Sequence, residues 1–434
     1  MSREELKKKV LQAIDARAEE IIEIGTHIWK NPELGYKEFK TAEFVQEKYE
    51  EMDWYYEDGI ARTGSKAYLE SKTKSPAIGV IGELDAVRCP DHPECDPVTS
   101  AVHACGHNAQ IAAMLGCGFG ITDSGVLDEL VGNVVMVTVP AEEYLEIDFR
   151  NSLREKGEIT FFGGKQEFIH LGAMDDIDIS LGTHTAMNME EKLSVSGSNN
   201  GFIGKLIRFI GQEAHAGGAP HKGINALNAA MLGLMGIHAQ RETFKDEDHI
   251  RVHPIITKGG EIVNNVPADV RLESYVRGKT IEAIKSANEK VNRALKAGAM
   301  AVGGEVDIND LPGYMPYQRD EKLDDIIQQN CYNTVGENEV KVRAHSTDST
   351  DMGDISCIMP TSSFGMGGVE GEGHSRTYKV VDPYTEYVLP AKILGLTCVD
   401  LLYNGAEKAK GIINGFEPSI PRDEYTKFMN ELVK

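Results

Sequence analysis

The chain has 434 residues, and its 45 Lys plus Arg against 68 Asp plus Glu give a formal net charge of −23. Nucleic-acid phosphates and anionic membrane surfaces are bound by clustered basic residues, and no such cluster stands out in this acidic chain. We therefore expect neither nucleic acid nor a membrane among its partners. Hydrophobic residues make up 41% and charged residues 26%, which is typical of a globular protein with a sizeable core.

The first residues, MSREELKKKV, lack the apolar segment of a signal peptide. No stretch approaches the roughly 18 consecutive apolar residues of a membrane span. The seven cysteines are odd in number and irregularly spaced, which favours reduced thiols over a disulfide framework. These features together predict a cytoplasmic protein.

Helical and strand patterns alternate in the first part of the chain. Apolar residues at helical spacing predict an amphipathic helix over residues 6–22, a break at 27–35 and a second helix at 41–52. Residues 77–85 and 131–139 are continuous apolar runs, as in strands buried on both sides, with a helix at 108–121 between them. The pattern predicts an α/β fold, with a mostly parallel sheet and helices on both faces.

The pattern changes in the middle of the chain. A half-polar strand at 205–211 precedes a helix at 225–240, strands at 253–257 and 269–276, and a long helix at 280–301. This order predicts a small α+β sandwich inserted into the larger domain, with residues 311–316 as the return linker. We expect the main domain at residues 1–190 and 312–434 and the inserted domain at 191–311.

Two clusters of polar residues could carry chemistry. Cys105 and His107 are two positions apart in a loop before a helix, and a thiolate with an imidazole suits a metal such as zinc. Glu142 and Glu143 follow a buried strand, where ligand sites of open α/β sheets lie, and one could bind metal while the other activates water. Taken alone, the first pair could equally be two buried residues, and the second two solvated loop acids.

Two further histidines lie at comparable places. His184 follows a short apolar run, and His374 ends a glycine-rich loop over residues 365–375. Each one taken separately could be structural. Together with the first two clusters they suit a hydrolase in which two metal ions about 3.5–4 Å apart bind water and a carbonyl group.

These residues belong to an ordered set of motifs: NPELGYKE, GELDAV, HACGHN, PAEE, GTHT, GQEAHAGGAPHKG, VNNVPAD and EGHS. The set resembles peptidase family M20, the co-catalytic metallo-aminoacylases and carboxypeptidases. The Cys-Gly-His form resembles the branch of indoleacetyl-amino-acid, hippurate and aminobenzoyl-glutamate hydrolases. The matches keep family order from His27 to Ser375 and so cover most of the chain.

The resemblance implies a role for each matching residue. Glu142 would be the general base, and Asp85 would orient a ligand histidine. Two divalent ions, manganese or zinc, would be bound by five ligands: Cys105, His107, Glu143, His184 and His374. Cys105 would bridge the two ions.

The inserted domain matches the family's lid, which also forms a homodimer. His215 would reach the partner subunit's active site and polarise the scissile carbonyl there, and Asn265 and Arg277 would hold the substrate carboxylate.

The chain departs from the family pattern at several positions. Many relatives carry C-G-H-D-x-H, where this chain has Asn108 and Gln110. Cys89 and Cys95 flank His92 in a loop that suggests either an extra metal site or a polar loop at the pocket mouth. Residues 346–356 resemble a segment of the aminobenzoyl-glutamate-like relatives and equally suit a helix N-terminus.

Three functions remain open at this point. The first is hydrolysis of the amide bond of an N-acyl or N-aroyl amino acid, such as an aminobenzoyl-glutamate-like compound, by metal-activated water with a Glu base. The second is a dipeptidase or carbamoyl-amino-acid hydrolase that uses the same metal centre. The third is a catalytically silent binding protein, suggested by Asn108 and Gln110 but opposed by the complete set of ligands and base.

Overall fold

The computed structural model describes residues 1–69 and 73–433. These residues form two compact units. The first comprises Met1–Gly197, Gln318–Ala344 and Asp354–Arg422, and the second comprises Ser198–Tyr317, His345–Gly353 and the chain from Asp423. The domain bounds that the sequence predicts, at residues 190 and 311, differ from the bounds of these units and stay a prediction.

The α-helices within the described residues are, in chain order, α1 Arg3–Ala16, α2 Ala18–Lys30, α3 Phe39–Glu51, α4 His107–Asp123, α5 Ile147–Glu155, α6 Gly164–His170, α7 Ala226–Gln240, α8 Ile281–Ala301, α9 Glu321–Val335, α10 Met352–Ile358, α11 Leu389–Ile413 and α12 Tyr425–Leu432. Side chains cap several of them: Ser2 and Glu5 form a reciprocal capping box at α1, and Thr280 caps α8. Helix α11 is interrupted by non-helical backbone at residues 403–406.

The strands over the same residues are β1 Tyr55–Ile60, β2 Gly64–Leu69, β3 Ala77–Glu83, β4 Val87–Arg88, β5 Ala101–Val102, β6 Asn133–Val139, β7 Ile179–Thr185, β8 Leu193–Val195, β9 Ser198–Asn199, β10 Gly201–Ile210, β11 Arg251–Val252, β12 Ile255–Lys258, β13 Asp269–Gly278, β14 Glu305–Pro312, β15 Val340–Val342, β16 His345–Ser346, β17 Thr361–Met366, β18 Val369–Glu370 and β19 Lys379–Val380.

The first unit is built on an eight-stranded sheet in the order β1-β2-β6-β3-β7-β17-β8-β15. The central pairs β6–β3, β3–β7 and β7–β17 are parallel, and β1, β2 and β6 pair antiparallel at one edge. Strands β3 and β6 are buried along their whole length, which explains their unbroken apolar sequences. The predicted α/β class with a mainly parallel sheet is confirmed.

The second unit is an antiparallel sheet in the order β11-β13-β10-β14, with β12 also paired to β13. Helices α7 and α8 pack on it around a core that contains Phe209, Leu272 and Leu295. This is the α+β layer expected for the inserted domain.

The structure corrects several local predictions. The first helix is two helices, because the chain turns at Arg17 (φ −106°, ψ 11°) while Ile14 and Ile21 both stay fully buried. Helix α2 then continues past His27 to Lys30. Strands β1 and β2 were not predicted, and residues 311–312 end β14 rather than opening a linker.

No helix among residues 1–69 and 73–433 has both the length and the apolar character needed to cross a bilayer.

Candidate metal centre

The candidate site lies at the carboxyl ends of three adjacent strands. Strand β3 lies between β6 and β7 and is parallel to both, so all three end at the same edge of the sheet. Glu83 ends β3, and Asp85 follows two residues later on the same side of the chain. Glu142 and Glu143 follow β6, and His184 is the second-last residue of β7. This is the edge at which open α/β sheets bind ligands.

Gly106 makes the turn that brings Cys105 and His107 to one point. It adopts φ +83°, in the left-handed region, and a Cβ at this position would overlap the Thr185 hydroxyl. His107 opens helix α4, and the Cys105 thiol lies in the preceding loop, 3.5 Å from Nε2 of His184. Only glycine can therefore connect the thiol and the imidazole in this arrangement.

Buried acids fix the turn that carries Glu142 and Glu143. The carboxylate of Asp85 accepts hydrogen bonds from the backbone amides of Glu142 (3.1 Å) and Glu143 (2.9 Å). Glu38 accepts one from the amide of Ala141 (2.9 Å), a non-glycine residue at φ +55°. Three consecutive amides thus bond to two carboxylates, which hold a strained turn of the kind often found at functional sites.

Arg150 supports the same turn from the carbonyl side. Its guanidinium is fully buried and donates to the carbonyl oxygens of Phe162 (2.6 Å), Ala141 (3.4 Å) and Glu143. Because both the amides and the carbonyls of the turn are bound, the backbone from which the two glutamate side chains project is held in place.

Hydrogen bonds select the tautomer of two histidines. Nδ1 of His107 donates to the carbonyl oxygen of Asp85 (2.8 Å), and Nδ1 of His184 donates to that of Thr185 (2.9 Å). Each ring therefore keeps a proton on Nδ1 and directs Nε2, whose lone pair becomes available once any proton there is lost, into the site. A metal ion needs this lone pair as its ligand.

His374 reaches the same site from the other end of the chain. It lies in the glycine-rich loop at φ +55°, and its amide donates to the carbonyl of Ala104 (2.9 Å). Its Nε2 is 3.0 Å from Oε1 of Glu143. With 54% of its side chain exposed, it is the most open of the predicted ligands.

The described residues contain three groups of possible metal ligands, and within each group the donor atoms all lie within 4.8 Å of one another. The groups are Cys105, His107 and His184; Cys105, Glu143 and His374; and Glu83, His107 and Glu142. All five predicted ligands and the predicted base are among them. The first two groups share the Cys105 thiol, which is the position expected of a bridging ligand.

The spacing of the donors fits metal coordination. Two N or O donors about 2.1 Å from one ion lie about 3.0–3.4 Å apart at angles of 90–109°, and an S and an N donor lie about 3.5 Å apart. The Cys105–His184 distance of 3.5 Å and the Glu143–His374 distance of 3.0 Å match these separations. The residues present therefore fit a metal centre.

The electrostatics of the cluster keep its acids ionised. Burial raises the pKa of the Cys105 thiol, but His184 and His107 outweigh it and lower the pKa to about 6. Burial likewise opposes ionisation of Glu143, yet His374 lowers the pKa of that carboxyl to about 2. Hydrogen bonds to Cys105 and Glu143 raise the pKa of His374 to about 11. The anionic thiolate and carboxylate thus lie against protonated imidazole rings. A metal ion that bound here would take the place of the imidazolium protons that face these anions.

The other predicted residues lie in the second unit, which is described by itself. His215 and Asn265 face each other in an isolated β-bridge. Nδ1 of His215 accepts hydrogen bonds from the amides of Gly217 (3.2 Å) and Gly218 (2.9 Å), so its proton is on the exposed Nε2.

Arg277 in the same unit lies against aromatic rings. Its guanidinium is 5.7 Å from the ring centre of Phe202 and 5.6 Å from that of Tyr275, and it donates to the Ser349 hydroxyl (3.3 Å). The roles predicted for His215, Asn265 and Arg277 stay predictions.

The two departures from the family motif have separate structural roles. Asn108 points into helix packing, where its amide donates to the carbonyl of Gly25 (3.0 Å) and the hydroxyl of Tyr387 (3.2 Å). Gln110 donates to Oε2 of Glu83 (2.6 Å) and so touches the edge of the donor cluster.

Hydrogen bonds of His92 hold the Cys89–Cys95 loop in place. Nε2 of His92 donates to the carbonyl of Tyr378 (2.9 Å), while its Nδ1 accepts from the amide of Glu94 (3.1 Å). Both ring nitrogens are thus used, and none of the donor groups found in residues 1–69 and 73–433 includes this loop. The structure favours the polar-loop interpretation over an extra metal site.

Sequence reasoning missed four residues of the site: Glu38, Glu83, Arg150 and Lys165. Glu83 carries a visible signal, because it lies two residues before Asp85 at the end of a buried strand and must share its side. Glu38 ends the NPELGYKE motif but was given no role, whereas nothing in the local sequence of Arg150 or Lys165 marks them.

The fold and the site together define an α/β metallohydrolase with an inserted α+β domain. Residues 197–301 match the peptidase dimerisation domain family M20_dimer. The chain is 25% identical to the Xaa-Arg dipeptidase of Mus musculus over 92% of its own length and 90% of the relative. It is 23% identical to the N-acyl-L-amino acid amidohydrolase of Geobacillus stearothermophilus over 73% and 81% of the two chains.

A solved structure shares the fold. The Bacillus subtilis protein described as a dinuclear metal-binding peptidase from the M20 family superposes with a TM-score of 0.68 at 18% identity, covering 89% of this chain and 99% of the other. The resemblance expected from the sequence is confirmed: residues 197–301 match the M20 dimerisation domain, and the relatives are named hydrolases and amidohydrolases, which supports a metallohydrolase.

Proposed function

We propose that this protein is a metal-dependent amidohydrolase that cleaves the amide bond of an N-acyl or N-aroyl amino acid. The observation that carries the proposal is the position of Glu142, whose Oε2 lies 3.8 Å from Nε2 of His107 at the edge of the donor cluster. A carboxylate fixed beside a metal centre is placed to move protons there.

The proposed ligands of two divalent ions are Cys105, His107, Glu143, His184 and His374. Zinc or manganese ions bound here would lower the pKa of a water molecule toward 7 and polarise the amide carbonyl. The thiolate and the imidazoles favour zinc on chemical grounds, and the carboxylates are compatible with manganese.

Glu142 takes a proton from the attacking water and returns it to the leaving amine nitrogen. The two backbone hydrogen bonds from its turn to Asp85 keep it in place through both transfers. His215 presents Nε2–H, which is the tautomer needed to donate a hydrogen bond to the oxyanion that develops on the carbonyl. Asn265 and Arg277 bind the substrate carboxylate.

The second candidate is a dipeptidase that uses the same residues. The relative from Mus musculus is named an Xaa-Arg dipeptidase and aligns with nearly the whole chain, which favours this reading for the substrate. A carbamoyl-amino-acid hydrolase would need the same centre. A silent binding protein is disfavoured, because both the base and the ligand set are present at bonding distances. The matched dimerisation domain supports a homodimer.

The test is turnover of N-acyl amino acids, aminobenzoyl-glutamate and dipeptides by the zinc- and manganese-loaded protein, with Glu142→Gln beside the wild type. We expect metal-dependent amine release by the wild type, and a loss of at least about 10²-fold in kcat for E142Q with its metal content unchanged.

Glu146→Gln is the matched control, because this residue lies in the same segment but pairs with Lys37 at 2.8 Å. E146Q should retain wild-type turnover. Wild-type kcat in E142Q would refute the assignment of the base, and faster turnover of dipeptides would select the second candidate.

A further inference from the structure

Glu83 brings a carboxylate to the centre that the proposed ligand set does not use. It ends strand β3 and is 2% exposed, between the strand ends that carry Glu142 and His184. Building on the proposed metal centre, we propose that Glu83 is a sixth protein ligand, which binds the same ion as His107.

The distance between the two donors supports this assignment. Oε2 of Glu83 is 3.1 Å from Nε2 of His107. Nδ1 of that imidazole donates to the carbonyl of Asp85, which directs Nε2 at the carboxylate of Glu83. Nε2 is buried and makes no hydrogen bond within residues 1–69 and 73–433, so a metal ion between the two atoms would use a donor that the fold leaves unbonded. The separation is also that of two donors on one ion, about 3.0–3.4 Å.

Glu142 completes the group. Its Oε2 is 3.8 Å from the same imidazole nitrogen, and the donor atoms of Glu83, His107 and Glu142 all lie within 4.8 Å of one another. An ion held by Glu83 and His107 would therefore lie directly beside the proposed base.

Two neighbours hold the Glu83 carboxylate in this orientation. Nζ of Lys165 is 2.6 Å from Oε1, whereas the 3.1 Å contact with His107 is made by Oε2. The amide of Gln110 donates to Oε2 at 2.6 Å, which leaves that oxygen a second lone pair. Gln110 stands where many resembling relatives have histidine, so this contact belongs to the departure from the family motif.

Burial makes it energetically costly to separate the charges of Lys165 and Glu83. The side chain of Lys165 is fully buried and that of Glu83 is 3% exposed, so the ammonium ion needs its carboxylate partner and fixes it in turn. Lys165 comes from helix α6, so its ion pair joins that helix to the end of β3.

The alternative role for Glu83 is charge compensation of Lys165 alone, and a double-mutant cycle separates the two. The measurements are cobalt(II) equivalents bound per chain, cobalt(II) affinity by calorimetry and the visible spectrum of the cobalt(II) protein, for E83Q, K165M and E83Q/K165M. Loss of a residue that only hydrogen-bonds to a metal ligand typically lowers metal affinity by about 10–100-fold. Removing a ligand itself should therefore lower the affinity for one of the two cobalt(II) ions by at least this factor, and it should shift the visible absorption band of the cobalt(II) protein.

We expect E83Q and E83Q/K165M to show the same weakened binding and altered spectrum, because removing Lys165 cannot replace a missing ligand. The inference is overturned if E83Q keeps the wild-type spectrum, or if the double variant recovers wild-type cobalt affinity. Glu83→Asp keeps the charge but shortens the side chain. It should also lose affinity, and wild-type binding in this variant would count against direct ligation.

Two further variants complete the design. Glu167→Gln replaces another buried carboxylate on α6, one that accepts hydrogen bonds from the amides of Thr160 and Phe161, and it should keep the cobalt spectrum. Cys105→Ser tests the proposed centre itself. Loss of cobalt binding in C105S with unchanged binding in E83Q would refute only the role of Glu83, whereas unchanged binding in both would refute the metal centre.

Discussion

Replacing Asp85 by asparagine tests how the glutamate turn is held. The wild-type carboxylate accepts the amides of Glu142 and Glu143 with its two oxygens, at 3.1 and 2.9 Å. Asn has one oxygen and one NH₂ group, so one buried backbone amide would lose its acceptor and face a second donor. The two side chains have nearly the same volume, so the packing around them should be retained. The carboxylate also lies 3.3 Å from Nδ1 of His107, and this contact changes with the substitution.

The expected cost follows from these two bonds. An unsatisfied buried amide costs about 1–3 kcal/mol, and the remaining bond falls from a charge-assisted one to a neutral one, a loss of about 1 kcal/mol. We therefore expect the free energy of unfolding to fall by about 2–4 kcal/mol. A displacement of Glu142 by about 1 Å would lower kcat by about 10²-fold.

Urea unfolding followed by circular dichroism, together with kcat on the best substrate, measures both effects. Asp58→Asn on exposed strand β1 is the control for the loss of one negative charge, and it should change stability by less than about 0.5 kcal/mol. Wild-type stability and kcat in D85N would refute the role assigned to these hydrogen bonds.

Three more outcomes are expected. Gly106→Ala should abolish tight metal binding, measured by calorimetry, because the residue needs φ +83° and its Cβ would overlap Thr185; unaltered affinity would contradict this. Burial raises the pKa of Glu386 to about 8, so wild-type stability should fall as pH rises from about 4.5 to 8, by at most about 1.4 kcal/mol per pH unit. Glu386→Gln should make this fall shallower but not abolish it, because burial also raises the pKa of Glu38 to about 7, and urea midpoints that fall in parallel with pH for both proteins would argue otherwise. Chelation should lower Tm in calorimetry, since ions at 100 times their Kd stabilise by about 2.7 kcal/mol, and a Tm indifferent to chelator would show that the ions do not stabilise the fold.

The fold class and most of the buried elements could be predicted because their signals are local. Strands β3 and β6 are unbroken apolar runs, and α8 is a long amphipathic helix between a Thr cap and Val302. Strand β1 escaped prediction because it is largely exposed and its polar residues do not alternate regularly. Strand β2 is buried, but its sequence, GSKAYL, is not an apolar run. The break at Arg17 has neither Pro nor Gly to announce it.

The residues of the site likewise fall into those that the local sequence predicts and those that only the fold brings together. Cys105, His107 and the Glu142–Glu143 pair follow from motif and strand-end position. Lys165 could not be found, because a lysine in a helix is usually solvated and only the fold brings this one against Glu83. Tertiary packing, not local pattern, decides such contacts.

The longest segment of the second unit, Ser198–Tyr317, has ends that lie side by side. The amide of Tyr317 donates to the carbonyl of Asn199 at 3.2 Å, so a segment of more than a hundred residues starts and finishes at one hydrogen bond. Strand β17, which lies between β7 and β8 in the large sheet, is synthesised only after this segment. The large sheet therefore keeps an open place until the chain beyond this segment has been made, and the second unit likewise lacks His345–Gly353 and the chain from Asp423 until then. The hydrogen bond between residues 199 and 317 keeps β8 close to the chain that fills the open place in the sheet.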